Sequence, residues 1–138
     1  MKNILILCTG NSCRSQIAEG FLRHFSPKNA RIYSAGIEVH GLNPNAIATM
    51  LEVGIDISGQ TSNLVDEYAS INFDYIITVC DHAKEHCPIF PSKAVKVHRD
   101  FSDPAKIQGT DEEIRLGFAK ARLEIEKFSL AFLSEYLK

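Results

Sequence analysis

A chain of 138 residues fits one domain, 1–138, and is long enough to bury a core without disulfide or metal staples. Apolar residues make up 45% and charged residues 23%, and the formal charge is −2 with lysines and arginines scattered. Disorder and the basic stripe of a nucleic-acid binder are both argued against. The N-terminus carries one lysine and a short apolar run with no cleavage-like site, and no apolar stretch approaches the roughly 20 residues of a membrane span. A cytoplasmic protein with no membrane partner is expected, and its cysteines, Cys8, Cys13, Cys80 and Cys87, then point to catalysis or metal binding rather than to structural disulfides.

Along the chain, residues 3–7 form a continuous apolar run, the pattern of a strand covered on both faces. After the stretch CTGNSCRS, residues 8–15, Ile17, Phe21, Leu22 and Phe25 recur at helical spacing until Ser26-Pro27 ends the helix. Residues 31–36 predict a second strand. Asn43 as cap and Pro44 in the first turn predict a second helix carrying Ala46, Ile47, Met50 and Leu51, with Gly54 its terminator. A short helix is expected near 62–68. A third strand, 73–79, runs straight into Cys80, and 94–98 reads as an edge strand because Val95 and Val97 alternate with Lys96. Thr110 and Glu113 make a capping box that opens a long helix with Ile114, Phe118, Ala121, Ile125, Phe128, Phe132 and Tyr136 on its apolar face. Alternating strands and helices predict a small parallel sheet with helices on both faces. Ligands of such folds bind beyond the carboxyl ends of the strands, where both the first loop and Cys80 fall.

The first loop has two readings. It is either a polar strand-to-helix connection or an anion cradle with a thiol at its centre. In the second, the backbone N–H groups of Thr9, Gly10, Asn11, Ser12, Cys13, Arg14 and Ser15 and the helix dipole bind a tetrahedral oxyanion. Arg14 adds a bidentate clamp, Ser15 is placed to donate to the Cys8 sulfur, and such surroundings lower a thiol's pKa toward a nucleophilic thiolate. The loop has no GxxxxGK[ST] pattern, which excludes a nucleotide loop of that kind.

Asp103, before Pro104, is either a turn former or the acid that lets a displaced oxygen leave as a neutral species. Cys80-Asp81-His82-Ala83-Lys84-Glu85-His86-Cys87 raises zinc as an alternative, but its spacing fits no common zinc motif. On a regular helix Cys80 and Cys87 would lie about 10 Å apart along the axis, too far for a disulfide unless the helix unwinds. Plain core cysteines remain the other reading.

Five stretches carry a resemblance: CTGNSCRSQ at 8–16, YSAGIE and HGLNPNA within 33–46, VGIDIS at 53–58, TVC with a second cysteine seven positions on at 78–87, and DPA and QGT within 103–110. In order and spacing they resemble the arsenate reductases related to low-molecular-weight tyrosine phosphatases. The resemblance implies a single three-layer domain with a four-stranded parallel sheet in the order 2-1-3-4. It implies Cys8 as the nucleophile toward arsenate, Arg14 and the loop amides as its oxyanion site, and Asp103 as the proton donor. Cys80 and then Cys87 would carry the disulfide outward to thioredoxin, with glutaredoxin and glutathione as the alternative donor. Cys13 matches a loop cysteine outside the redox set. No tightly bound cofactor is implied, and the protein is expected to be a monomer. Potassium-binding members use positions matching Asn11, Glu19 and Ser34 plus an acid where this chain has Asn63, a loss that weakens a hard-cation site. Members also carry Trp and an acid where this chain has Arg99 and Ser102. A plain phosphatase and a non-catalytic oxyanion or metal sensor are the competing readings.

Overall fold

The computed structural model describes residues 1–81 and 90–137. Its frame is a four-stranded parallel sheet: β1 (Lys2–Cys8), β2 (Ala30–Gly36), β3 (Tyr75–Thr78) and β4 (Val95–His98), in the order β2-β1-β3-β4. That is the order the resemblance implied. Ile4, Leu5, Ile6 and Leu7 are fully buried because β1 is central and covered above and below. Leu7 pairs with Thr78, and Cys8 with Gly36, so β1 and β3 deliver their ends side by side.

One face of the sheet carries α1 (Arg14–Phe25), α2 (Pro44–Leu51) and α3 (Asp111–Tyr136). Their apolar sides meet Ile4, Ile6 and Cys8 in the larger core cluster, with Phe21, Met50, Phe118, Ile125 and Phe132. The opposite face is a thinner layer in which Leu5, Leu7 and Ile76 pack under Tyr33, Tyr68, Phe73 and Phe90. The edge-on contacts of Phe73 with Tyr33 and Phe90 tie this layer together.

The predicted helix starts hold. Asn43 accepts the N–H of Asn45 at 2.8 Å, and Thr110 and Glu113 exchange reciprocal bonds at 3.1 Å. Helix α2 ends at Leu51, and Gly54 follows in the left-handed region. The helix expected near 62–68 is one 3₁₀ turn, Val65–Tyr68. Asn63 and Leu64 are held extended beside β2, because Asn63 accepts the Gly36 N–H at 2.9 Å and Gly36 bridges Leu64, so helical structure begins only after them. The third strand is shorter than the predicted 73–79. The Asp74 carboxylate accepts the Asn3 N–H at 2.8 Å and closes the ladder at that end. Strand β4 is an edge strand, with Val95 and Lys96 exposed. No helix among the described residues is long and apolar enough to cross a membrane.

Candidate active site

The loop between β1 and α1 is shaped by what happens to its carbonyl groups. Thr9, Gly10 and Ser12 accept backbone N–H bonds from Glu38, His40 and Asn43 at 3.1, 3.1 and 3.2 Å. Asn11 carbonyl oxygen accepts from Ser62 Oγ at 2.8 Å and Gln16 Nε2 at 3.0 Å. All four carbonyls are thus drawn outward. In a trans peptide the following N–H points the opposite way, so the amides of Gly10, Asn11, Ser12 and Cys13 turn inward. Helix α1 then begins at Arg14 with no side-chain cap among the described residues, and its first N–H groups extend the same donor ring.

Sharp reversal needs one residue in the left-handed region, and Asn11 takes it at φ 48°, the one non-glycine residue with positive φ among those described. Its side chain is bonded throughout. Asn63 N–H donates to Oδ1 at 2.7 Å, and Nδ2 donates to Ser15 Oγ at 2.8 Å and Ser34 Oγ at 2.9 Å. Two glycines allow close approach. A Cβ on Gly36 would fall 2.5 Å from the Thr9 carbonyl oxygen, and one on Gly10 would fall 2.4 Å from His40 Nδ1.

A cavity of about 360 Å³ opens over this ring, lined by Cys8, Cys13, Arg14, His40, Asp103 and Lys106 among others. Cys8 and Arg14 are buried. Arg14 Nη1 donates to the Phe101 carbonyl at 3.0 Å, and Nη2 lies 3.6 Å from Asp103 Oδ2. Asp103 is extended and accepts the Ala105 N–H at 3.0 Å, so it does form the turn, and it also lines the cavity. Burial, and then the nearby Asp103 carboxylate, push the Cys13 thiol up to about 12, which keeps it protonated at neutral pH.

A thiol at a strand end, an inward amide ring and a buried arginine form one arrangement. Residues 3–138 match the family described as low molecular weight phosphotyrosine protein phosphatase. The chain belongs to that family. Among relatives in this phosphatase family, an arsenate reductase of Shouchella clausii is 51% identical over 124 residues, covering 90% of this chain and 89% of its own. An arsenate reductase of Bacillus subtilis is 50% identical with the same coverage. An arsenate reductase solved in its phosphate-binding state matches 98% of both chains at 30% identity and TM-score 0.76.

The second and third thiols stand differently. Cys80 is fully buried just past β3, in the same apolar cluster as Cys8. It is disulfide-bonded, whereas Cys8 and Cys13 are not in disulfides. Cys87, with His82 and His86 of the zinc alternative, lies outside the described residues. Among the described residues no cluster of His, Cys, Asp or Glu suits a metal ion.

The potassium site that the resemblance implied would use Asn11, Glu19 and Ser34, and here these three residues do meet. Their oxygens do not suit a hard cation. Asn11 Oδ1 is turned to the Asn63 N–H, and its NH₂ faces Ser34. The Asn63 side chain bonds Thr61 and Glu67 instead. Both Glu19 oxygens are occupied, one by Ser34 Oγ and the other by Arg23 Nε.

Sequence reasoning missed the segment 38–43, Ser62 and Gln16, which orient the ring, and His40 and Lys106, which line the cavity. HGLNPNA covers part of that segment, but its donors to the loop are backbone N–H groups, which leave no side-chain signature. Arg23 did leave one, since Glu19 and Arg23 stand at i and i+4 on a helix.

Proposed function

We propose that this chain reduces arsenate to arsenite through Cys8, Cys80 and Cys87, with thioredoxin as electron donor. One observation carries the reading. Cys8 ends β1 and Cys80 follows β3, on adjacent paired strands, with a cysteine outside any disulfide at the first and a disulfide at the second. Relatives named arsenate reductase, about half identical over nine-tenths of the chain, support it.

The Cys8 thiolate attacks arsenic while the inward amides and Arg14 hold the oxyanion. Asp103 protonates the displaced oxygen, which leaves as water. Cys80, once its disulfide has been reduced, then attacks the Cys8 sulfur as a thiolate. The sulfur–arsenic bond breaks with its electron pair going to arsenic, and arsenite leaves from a Cys8–Cys80 disulfide. Attack by Cys87 on Cys80 frees Cys8 and moves the disulfide to Cys80–Cys87. Two electrons and the accompanying protons from a thioredoxin dithiol restore the thiols. Cys13, held protonated, takes no part.

Cys8, Arg14 and Asp103 alone suffice for phosphate ester hydrolysis, so a plain phosphatase is the second reading. Steady-state assays with thioredoxin and thioredoxin reductase separate the two. Cys80→Ser and Cys87→Ser are each expected to abolish arsenate turnover and to leave any aryl phosphate hydrolysis largely intact. Full arsenate turnover by either variant would sink the relay. Running glutathione and glutaredoxin beside thioredoxin at equal arsenate assigns the donor, with thioredoxin expected to support the faster rate.

A further inference from the structure

Glu19 is a carboxylate only 5% exposed, on the buried side of α1. It lines a second cavity, about 380 Å³, that shares no lining residue with the one over Cys8. A buried carboxylate is costly unless paired and hydrogen-bonded. Arg23, one turn further along the helix, supplies the pairing: Nε donates to Glu19 Oε2 at 2.7 Å, and Nη2 is anchored on the Ile32 carbonyl at 2.8 Å.

The consequence travels away from that pair. Glu19 Oε1 accepts the Ser34 hydroxyl at 2.5 Å, which commits the only proton Ser34 has. Ser34 Oγ is left to accept, and it accepts from Asn11 Nδ2 at 2.9 Å. The amide is therefore oriented with nitrogen toward Ser34 and Ser15 and oxygen toward the Asn63 N–H. That amide belongs to the one left-handed residue of the anion loop. Arg23 and Ser34 donate to the Glu19 carboxylate, and Asn11 donates to the Ser34 oxygen, so each donor is aimed by the acceptor beside it.

We infer that Arg23 is a positioning residue for the anion loop. It is a resident cation that, through Glu19 and Ser34, fixes the Asn11 amide and keeps the loop in its anion-binding form. The inference concerns oxyanion binding and stands independently of arsenate reduction.

Inorganic phosphate is the probe, with affinity measured by calorimetry on the full chain and thermal melts confirming that each variant is folded. Arg23→Met is expected to weaken phosphate binding about tenfold, within the range of ordinary coupling between sites. Arg23→Lys, which keeps the charge, should recover most of it. In a Glu19→Gln background Arg23→Met should have little further effect, because the pathway is already cut. If Glu19→Gln does not fold, the contrast between Met and Lys decides. The wild-type melting temperature should be the same in potassium chloride and choline chloride at equal ionic strength. Unchanged phosphate affinity in Arg23→Met, full additivity with Glu19→Gln, no recovery by Lys, or a potassium-specific rise in wild-type melting temperature would each overturn the inference.

Discussion

Arg14 and Asp103 face each other in the cavity with Nη2 3.6 Å from Oδ2, while Nη1 donates to the Phe101 carbonyl at 3.0 Å. The contact between Arg14 Nη2 and Asp103 Oδ2 is longer than a hydrogen bond. A cation pinned by a backbone carbonyl and an acid pinned by its own turn suit an anion entering between them. In the proposed mechanism that acid is the proton donor to the departing oxygen.

Asp103→Asn separates the two roles. It removes the proton donor but also a negative charge beside the anion. The expected result is a fall in kcat of about 10²–10⁴-fold, with phosphate binding unchanged or tighter. Steady-state kinetics and phosphate calorimetry on the same preparation check it. Weaker phosphate binding would show that the carboxylate organises the cavity instead.

Gly36→Ala tests whether strand packing shapes the loop. The added methyl would stand 2.5 Å from the Thr9 carbonyl oxygen and 3.0 Å from Asn11 N, both backbone atoms that have little room to move. A destabilisation of about 1–3 kcal/mol is expected, the usual range for overpacking. Phosphate affinity should fall with it. Loss of stability with full phosphate affinity would show that the loop adapts.

Cys13 sets a pH dependence. Its folded thiol is pushed up to about 12, above the ordinary thiol value near 8.5. The raised value favours the protonated folded state, so this contribution to stability is whole below about pH 8.5 and is lost as pH rises toward 12. Denaturant melts from pH 8 to 11 should show wild-type stability falling more steeply than that of Cys13→Ala. Arsenate turnover by Cys13→Ala should remain near wild type, and equal slopes would contradict the proposed burial effect.

Thr110→Ala serves as a remote control. The side chain caps α3 by accepting the Glu113 N–H, and its loss should cost about 1 kcal/mol. Thermal melts should register the loss while phosphate affinity stays constant.

Much of this was legible locally. The apolar run of β1, the Asn43 and Thr110 caps and the face of α3 are periodic or positional signals, and the structure places Phe118, Ala121, Ile125 and Phe132 of that face in the core. The shape of the loop was not legible. It depends on donors from 38–43 and 62–63, about 30 to 50 residues away in sequence, and three of those bonds are backbone to backbone. The boundaries that shifted, at 62–68 and 73–79, did so where a tertiary hydrogen bond to Gly36 or Asn3 competes with local propensity. Residues 82–89, including Cys87, lie outside the described part of the chain.

The pairing of Leu7 with Thr78 has an engineering consequence. Neighbouring strands run only about 4.8 Å apart, so the end of β3 is a mounting point for a second reactive atom that requires no new backbone. If the proposed relay holds, a hydrolase built on this sheet would gain its electron route from a thiol grafted at the position of Cys80 together with a third thiol to take over the disulfide. The cradle around the first thiol would stay as it is, and the chemistry would be chosen by its neighbour.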